Sequence, residues 1–281
     1  LTNAGDGFNF TGNPYPSALD WEEADGWDKT ALVTNTYYVW DPTSGAYASY
    51  TVGSGGTNGA TELIAPQQGF FVEAALSNNL MVSNMARTHT GLAFLKDNSI
   101  MADRLSLTLS NYMYSDETVL YFNEDATSGV DFNYDAKKFM SVTTAQLFSM
   151  AGADKMALNT LNNITASPAV NLGYVVQEGG EYTIAASNIE SFEMSTPIYL
   201  EDLKEEKVIN LRENDTYSFT ASTLDDPLRF VVHFTEQLGI DDLSNTNVNN
   251  IYSFNQDVYV NYSGTNGEIY IYNVMGQKVY Q

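Results

Sequence analysis

The chain has no cysteine among its 281 residues. Disulfides, thiol catalysis and cysteine-ligated zinc are therefore excluded. Positive charge is scarce: 12 Lys and Arg stand against 35 Asp and Glu, a formal net charge of −23. Such a surface repels phosphate backbones, so nucleic acid is not a partner, and anionic membranes are disfavoured for the same reason. Divalent cations and a soluble, non-adhesive exterior fit it better. Histidine occurs twice, at His89 and His233. Long apolar runs are missing. The longest candidate, residues 69–76 (GFFVEAAL), is far short of the ~20 residues that a membrane helix needs, and it carries a glutamate. The reading is of a protein that is not transmembrane. No signal peptide is visible, but the chain opens on Leu1, which points to a processed or trimmed product.

What is present favours strands. Hydrophobic residues make up 43 % of the chain and aromatic residues 13 %, with tyrosine and phenylalanine dominant. Flat side chains pack well on a pleated surface. Residues 36–40 (TYYVW) read as a strand, Asp41-Pro42-Thr43-Ser44-Gly45 as a turn, and residues 46–52 as the returning strand. Residues 53–59 (GSGGTNG) read as a loop, and residues 69–73 as another strand. Leu105, Leu107 and Leu109 alternate with Ser106, Thr108 and Ser110, the period of a half-buried strand. Residues 118–123, 182–186, 197–200, 217–221 and 229–235 repeat that texture. Two helical elements are expected. One is a short helix over residues 17–23, with Ser17 as its N-cap, and the other a single turn over residues 144–150. From residue 239 the composition turns polar and linker-like, and strands follow at residues 257–261 and 268–274, with an Asn266-Gly267 hairpin signal between them.

The expected fold class is all-β: two β-sandwich-like domains plus a short, incomplete C-terminal β segment. The boundaries predicted are 1–87, 88–237, a linker at 238–250, and 251–281.

Few residues offer chemistry. There is no nucleophile elbow, no paired-histidine zinc motif and no lysine after the glycines of GSGG, so nothing marks a hydrolase triad, a metalloprotease or a phosphate loop. With so many carboxylates, an acid pair suited to glycoside hydrolysis could always be assembled, and the pattern carries no signal. The best metal constellation is Asp131-x-Asn133-x-Asp135, where alternate oxygen ligands could wrap Ca²⁺. It is not an EF-hand: Ala136 stands at the sixth position, Val142 at the twelfth, and Lys137 and Lys138 oppose a cation. No cofactor is required; calcium is the one ion considered. Trp21, Trp27, Trp40, Tyr47 and Tyr50 are the candidate ligand-binding residues, because amphipathic rings stack on sugar faces. Most are expected in the core, and a platform would need two or three side by side and exposed.

The tail EIYIYNVMGQKVYQ, residues 268–281, resembles the opening of the type A C-terminal sorting domain of the Bacteroidetes type IX secretion system. Ile271, Tyr272, Asn273, Val274, Met275, Gly276, Gln277 and Val279 match its signature, and NNIYSFNQDVYVN at 249–261 precedes it in place. The rest of that domain is absent. Upstream, GNPYPSALDW (12–21), YYVWD (37–41), IAPQQGFFVEA (64–74), YFNEDAT (121–127), YLEDL (199–203), NLRENDTYSFTA (210–221) and RFVVHF (229–234) are similar to the region that often precedes such sorting domains. Gln68 stands where glycine is common. The resemblance implies a type IX secretion cargo, located extracellularly or on the outer cell surface, with the secretion machinery as partner.

The function expected is a non-enzymatic surface module for adhesion, glycan binding or spacing, with a glycan or a surface protein as ligand. Two alternatives compete. The chain could be the non-catalytic C-terminal region of a larger secreted hydrolase, or a self-assembling surface protein that exchanges strands through an unpaired edge.

Overall fold

The computed structural model describes residues 1–88, 101–164, 169–235, 250–254, 257–261, 271–272 and 278–280. The fold is all-β, with three short 3₁₀ turns among the described residues and no longer helix. The chain divides into a compact unit, Leu1–Thr235, and a second unit, Glu236–Gln281. In the second, Asn250–Phe254 pairs antiparallel with Asp257–Asn261, and Ile271–Tyr272 with Lys278–Tyr280. Of the linker predicted at 238–250, residues 238–249 lie outside the described residues and Asn250 opens the strand Asn250–Phe254; the Asn266-Gly267 turn also lies outside them.

The first unit opens with a five-stranded sheet in the order Phe8–Gly12, Gly69–Glu73, Thr36–Asp41, Ala46–Thr51, Gly55–Thr57. One face packs on a three-stranded sheet of Arg87–Thr88, Ala18–Asp20 and Leu63–Ile64. Leu19, Trp21, Tyr37, Tyr50, Ile64, Phe70 and Val72 form the core between them.

In place of the helix expected over residues 17–23 stands the short strand Ala18–Asp20, followed by a bend. Leu19 and Trp21, two residues apart, are both fully buried, and a helix would turn them away from each other. Asn13 holds this stretch extended. Its side-chain amide donates to the carbonyls of Ser17 (2.8 Å), Ala65 (3.0 Å) and Ile64 (3.3 Å), while its oxygen accepts the Tyr15 N–H. Residues 55–57, expected as loop, form the fifth strand. The Arg104 guanidinium donates to the carbonyls of Ser54 and Gly56, and Thr57 shares a hydroxyl bond with Ser49. A side chain at Gly56 would collide with the Ala60 carbonyl, so glycine here permits the turn-back.

Trp27–Asp28 and Met81–Val82 pair as a separate two-stranded ribbon. A large, nearly closed sheet follows, in the order Lys207–Asn210, Tyr199–Asp202, Phe230–His233, Ala169–Val175, Gln146–Ala151, Asp154–Leu161, Ser115–Phe122, Arg104–Ser110, Gly180–Ser187, Thr216–Ala221. Ala136–Lys137 joins it beside Asp154–Leu161. The turn expected at 144–150 is the strand Gln146–Ala151. It is buried on both faces, which removes the alternation that marks a half-buried strand. Leu105, Leu107, Leu109, Leu147, Leu172, Ile184 and Phe230 line the enclosed core.

A buried ion pair draws the sheet's two ends together. The Arg229 guanidinium grips Asp202 with two hydrogen bonds (2.7 and 2.6 Å) on one side and donates to the Thr220 carbonyl on the other. It lies over the rings of Phe219 and Phe230, and Tyr217 of the last strand also donates to Asp202 (2.9 Å). Burial raises the Asp202 carboxyl, but the bonds from Arg229 and Tyr217 outweigh it and hold the carboxyl below its ordinary range.

The residues around 131–146 connect the large sheet to the small one. The Asp135 carboxylate accepts the N–H groups of Asp131 and Thr160, both at 2.7 Å, and its carbonyl accepts the hydroxyl of Thr36 (3.0 Å). Lys137 bridges Glu73 of the small sheet (3.5 Å) and Asp154 of the large one (3.2 Å). Lys138 pairs with Asp116 at 2.6 Å, both side chains almost wholly buried.

Two predictions follow from these buried charges. Arg229→Ala leaves the Asp202 carboxylate buried and uncompensated, and is expected to cost about 3–5 kcal/mol in urea unfolding. Arg229→Lys, which keeps the charge but not the two-pronged grip, is expected to restore only part of it. The second concerns pH. Burial pushes Asp135 up to about 6, outweighing its bonds from the Asp131 and Thr160 amides. A carboxyl raised above its unfolded value, about 3.9, binds its proton more tightly when folded. Its burial therefore opposes folding above pH 6, and that penalty is relieved as pH falls from about 6 to about 4. Asp202 and Asp225 are lowered, so their contribution is present above their unfolded values and lost as pH falls further. The urea midpoint is expected to rise from pH 7 toward pH 4–5 and fall below it. In Asp135→Asn the rise between pH 6 and pH 4 should be shallower, whatever the variant's absolute stability.

Candidate functional site

The aromatic candidates divide between the two faces of the small sheet. Trp21 is fully buried, and its indole N–H donates to the Asn35 carbonyl (3.1 Å). Trp27 packs edge-on against it at 4.7 Å and donates to the Asp20 carbonyl. Tyr50 is buried nearby and donates to Glu22 (2.7 Å). These three rings belong to the inner core.

Trp40 and Tyr47 lie on the outer face. They are cross-strand partners, with ring centroids 5.0 Å apart in an edge-on arrangement. Trp40 is 39 % exposed. Tyr47 also meets Phe71 edge-on at 5.8 Å, and Phe71 meets Phe10 at 4.9 Å. Phe10 is 69 % exposed. One continuous aromatic strip therefore runs Phe10–Phe71–Tyr47–Trp40. Phe139, arriving from the connecting segment, stacks on Tyr47 at 4.1 Å and on Phe8 at 4.0 Å. It covers one end of this face and leaves Phe10 and Trp40 open to solvent.

The backbone beneath the strip is built for close approach. Gly12 and Gly69 are opposite one another on neighbouring strands. A side chain at Gly69 would fall inside the Phe10 ring, 2.4 Å from its Cζ. Phe10 therefore lies flat over a glycine instead of standing away from the sheet. At the far end the hairpin after Trp40 is fixed by Asp41, which accepts the N–H groups of Thr43 (2.9 Å) and Ser44 (3.2 Å). Gly45 closes it at φ +72°, wedged between the Tyr114 ring and the Thr144 methyl. Burial raises the Tyr47 hydroxyl above its ordinary range, so it stays neutral.

Phe10, Phe71 and Phe139 were not singled out in the sequence. The Phe-x-Phe alternation at 8–10 and the glycine opening GFFVE are signals for the first two; Phe139, in an irregular segment, has none.

The metal candidates take another role. Asp131 accepts the N–H and hydroxyl of Thr127, Asp135 accepts two backbone N–H groups, and Asn133 is exposed. The three close turns, and among the described residues no group of three or more acidic or histidine side chains is placed to hold a metal ion. His233 Nε2 lies 2.7 Å from Glu201 on the adjacent strand. His89 lies outside the described residues. A shallow cavity lined by Leu203, Lys204, Asp226, Leu228 and Arg229 adjoins the ion-pair clasp, where the guanidinium is already engaged.

Searches of curated proteins and of solved structures returned no match to the chain. Residues 1–234 match a family described as "Domain of unknown function (DUF8693)". That span contains both sheets, the clasp and the aromatic strip, and the protein belongs to this family.

Proposed function

We propose that the protein is a non-enzymatic binding module of the cell surface or secreted fraction, exported by the type IX secretion machinery, and that it binds a glycan. The observation that carries this reading is the outer face of the small sheet. A pure spacer would bury its large rings, whereas Phe10 and Trp40 stand open on a sheet whose inner face already has a complete core. Solvent-exposed rings held rigidly by their neighbours can accept the apolar face of a sugar without losing side-chain freedom on binding. Export rests on the likeness of residues 249–261 and 268–281 to a type A sorting domain. Calcium has no part in the contact: the Asp131–Asp135 turn lies in the segment that joins the sheets, and its carboxylates already accept N–H groups. The alternative of a non-catalytic region within a larger secreted hydrolase is compatible with the same surface, since binding modules serve such enzymes by holding them on substrate.

The test is a pull-down of the full chain with a panel of insoluble and immobilised polysaccharides. Retention on at least one polymer is expected, unchanged by EDTA and at least tenfold weaker for Trp40→Ala. Retention on none of them would return the protein to the spacer reading.

A further inference from the structure

The glycan reading leaves open which sugars the strip would take. Three observations bear on that: the spacing of its exposed rings, its charge and its floor. Phe10 and Trp40 are on strands separated by one other, Gly69–Glu73. The register also offsets them along the strands: Phe10 is opposite Phe71, Phe71 is opposite Tyr38, and Trp40 lies two residues beyond Tyr38. Two inter-strand spacings, ~9.5 Å, and one two-residue step, ~7 Å, set the two Cα atoms ~12 Å apart on the diagonal. A chain running obliquely across the strands would set one sugar on Phe10 and the next but one on Trp40, with the intervening ring over the middle strand.

The floor supports this path. The Gly12–Gly69 pair presents no side chain, and Phe10 lies down over Gly69. Phe71 and Tyr47, the cross-strand partners of the two exposed rings, brace them from the side, at 4.9 Å from Phe10 and 5.0 Å from Trp40 respectively. Larger side chains at 12 or 69 would interrupt the surface.

Charge narrows the class. The five strands of this sheet contain no lysine or arginine, and their charged residues are the carboxylates Asp41 and Glu73. The chain as a whole carries −23. A polyuronate or sulfated glycan would meet repulsion here, and the Lys137 ammonium beside Glu73 is already engaged with Glu73 and Asp154. A neutral chain meets neither obstacle.

Resting on the glycan reading above, we propose that the Phe10–Trp40 strip is a two-point platform for an extended, neutral, β-linked polysaccharide, running across the strands with sugars stacked on both rings.

The experiment is isothermal titration of the full chain with neutral β-1,4-linked oligosaccharides of two and six sugars (gluco-, xylo- and N-acetylglucosamine series), with oligogalacturonate as the anionic probe. At least one neutral hexasaccharide is expected to bind. Its disaccharide, too short to reach both rings, should bind at least tenfold more weakly, and oligogalacturonate should not bind. Phe10→Ala and Trp40→Ala should each weaken the hexasaccharide at least tenfold, while Met194→Ala, at a 94 % exposed position away from the strip, should leave it unchanged. Both strip residues are solvent-exposed, so thermal melts should show all three variants folded. Neutral binding that is indifferent to Phe10→Ala and Trp40→Ala would overturn the platform and leave glycan binding standing at another surface. Preference for the anionic probe would overturn the neutral class. Failure of every glycan here and in the pull-down would overturn both readings.

Discussion

The Asp116 carboxylate is the point at which the two sheets are tied to one another. It is wholly buried on the strand Ser115–Phe122. Three partners converge on it: the Lys138 ammonium at 2.6 Å, the Leu147 N–H at 2.7 Å and the Asn58 amide at 3.1 Å. Each comes from a different part of the chain. Leu147 belongs to a central strand of the large sheet, Asn58 follows the last strand of the small sheet, and Lys138 lies on the segment between the sheets. A buried charge is costly unless geometry satisfies its lone pairs. Asp116 meets that condition only when all three elements are in place, so the carboxylate specifies their arrangement more than it adds stability.

Phe139 inherits its position from that constraint. With Lys138 fixed against Asp116, the next side chain is delivered onto the outer face of the small sheet, where it stacks with Phe8 and Tyr47. Lys137, on the other side, reaches Glu73 and Asp154. The covered end of the aromatic face is thus set from within the large sheet, and so is the boundary beyond which Trp40 and Phe10 meet solvent. Packing of the connecting segment and exposure of the strip are two consequences of one buried ion pair. The Arg229–Asp202 clasp plays the corresponding part within the large sheet, holding the strand Tyr199–Asp202 near one end to the strand Thr216–Ala221 at the other around a common core.

The fold class was legible because its signals are local. Leu105, Leu107 and Leu109 alternate cleanly, and Asp41 to Gly45 is turn chemistry between two strand-forming runs. The errors have physical causes. Residues 17–23 open on an N-cap-like serine and carry the acids Asp20, Glu22 and Glu23, yet the Asn13 amide, through carbonyls up to 52 residues away in sequence, imposes an extended chain. Gln146–Ala151 is covered on both faces, so its apolar run has no period to read. Of the five aromatic candidates, composition could not say which face each would occupy. That depends on register: in TYYVW, Tyr37 is directed to the inner core while Tyr38 and Trp40 take the other face, and a shift of one residue would exchange them. Asp131, Asn133 and Asp135 have the spacing of a cation loop, but the same spacing serves turns whose carboxylates accept backbone N–H groups.

The exposure of Phe10 and Trp40 is not a shortage of material to cover them. Fully burying a large apolar side chain is worth about 1.5–3 kcal/mol, and Phe139 already shows how the connecting segment can supply a ring for that purpose. The strip stays open because nothing projects from the Gly12–Gly69 pair beside it. Glycine in a strand interior weakens the strand and offers no side chain to pack, so a cross-strand pair of them is unfavourable for a sheet that only has to be stable. At Gly69 the compensation is visible: the Phe10 ring occupies the vacated space. The result is an apolar surface in which two exposed rings are each packed against a half-buried one. Sheet stability would have been better served by β-branched residues at both glycine positions. A flat ligand is better served by the arrangement the protein has.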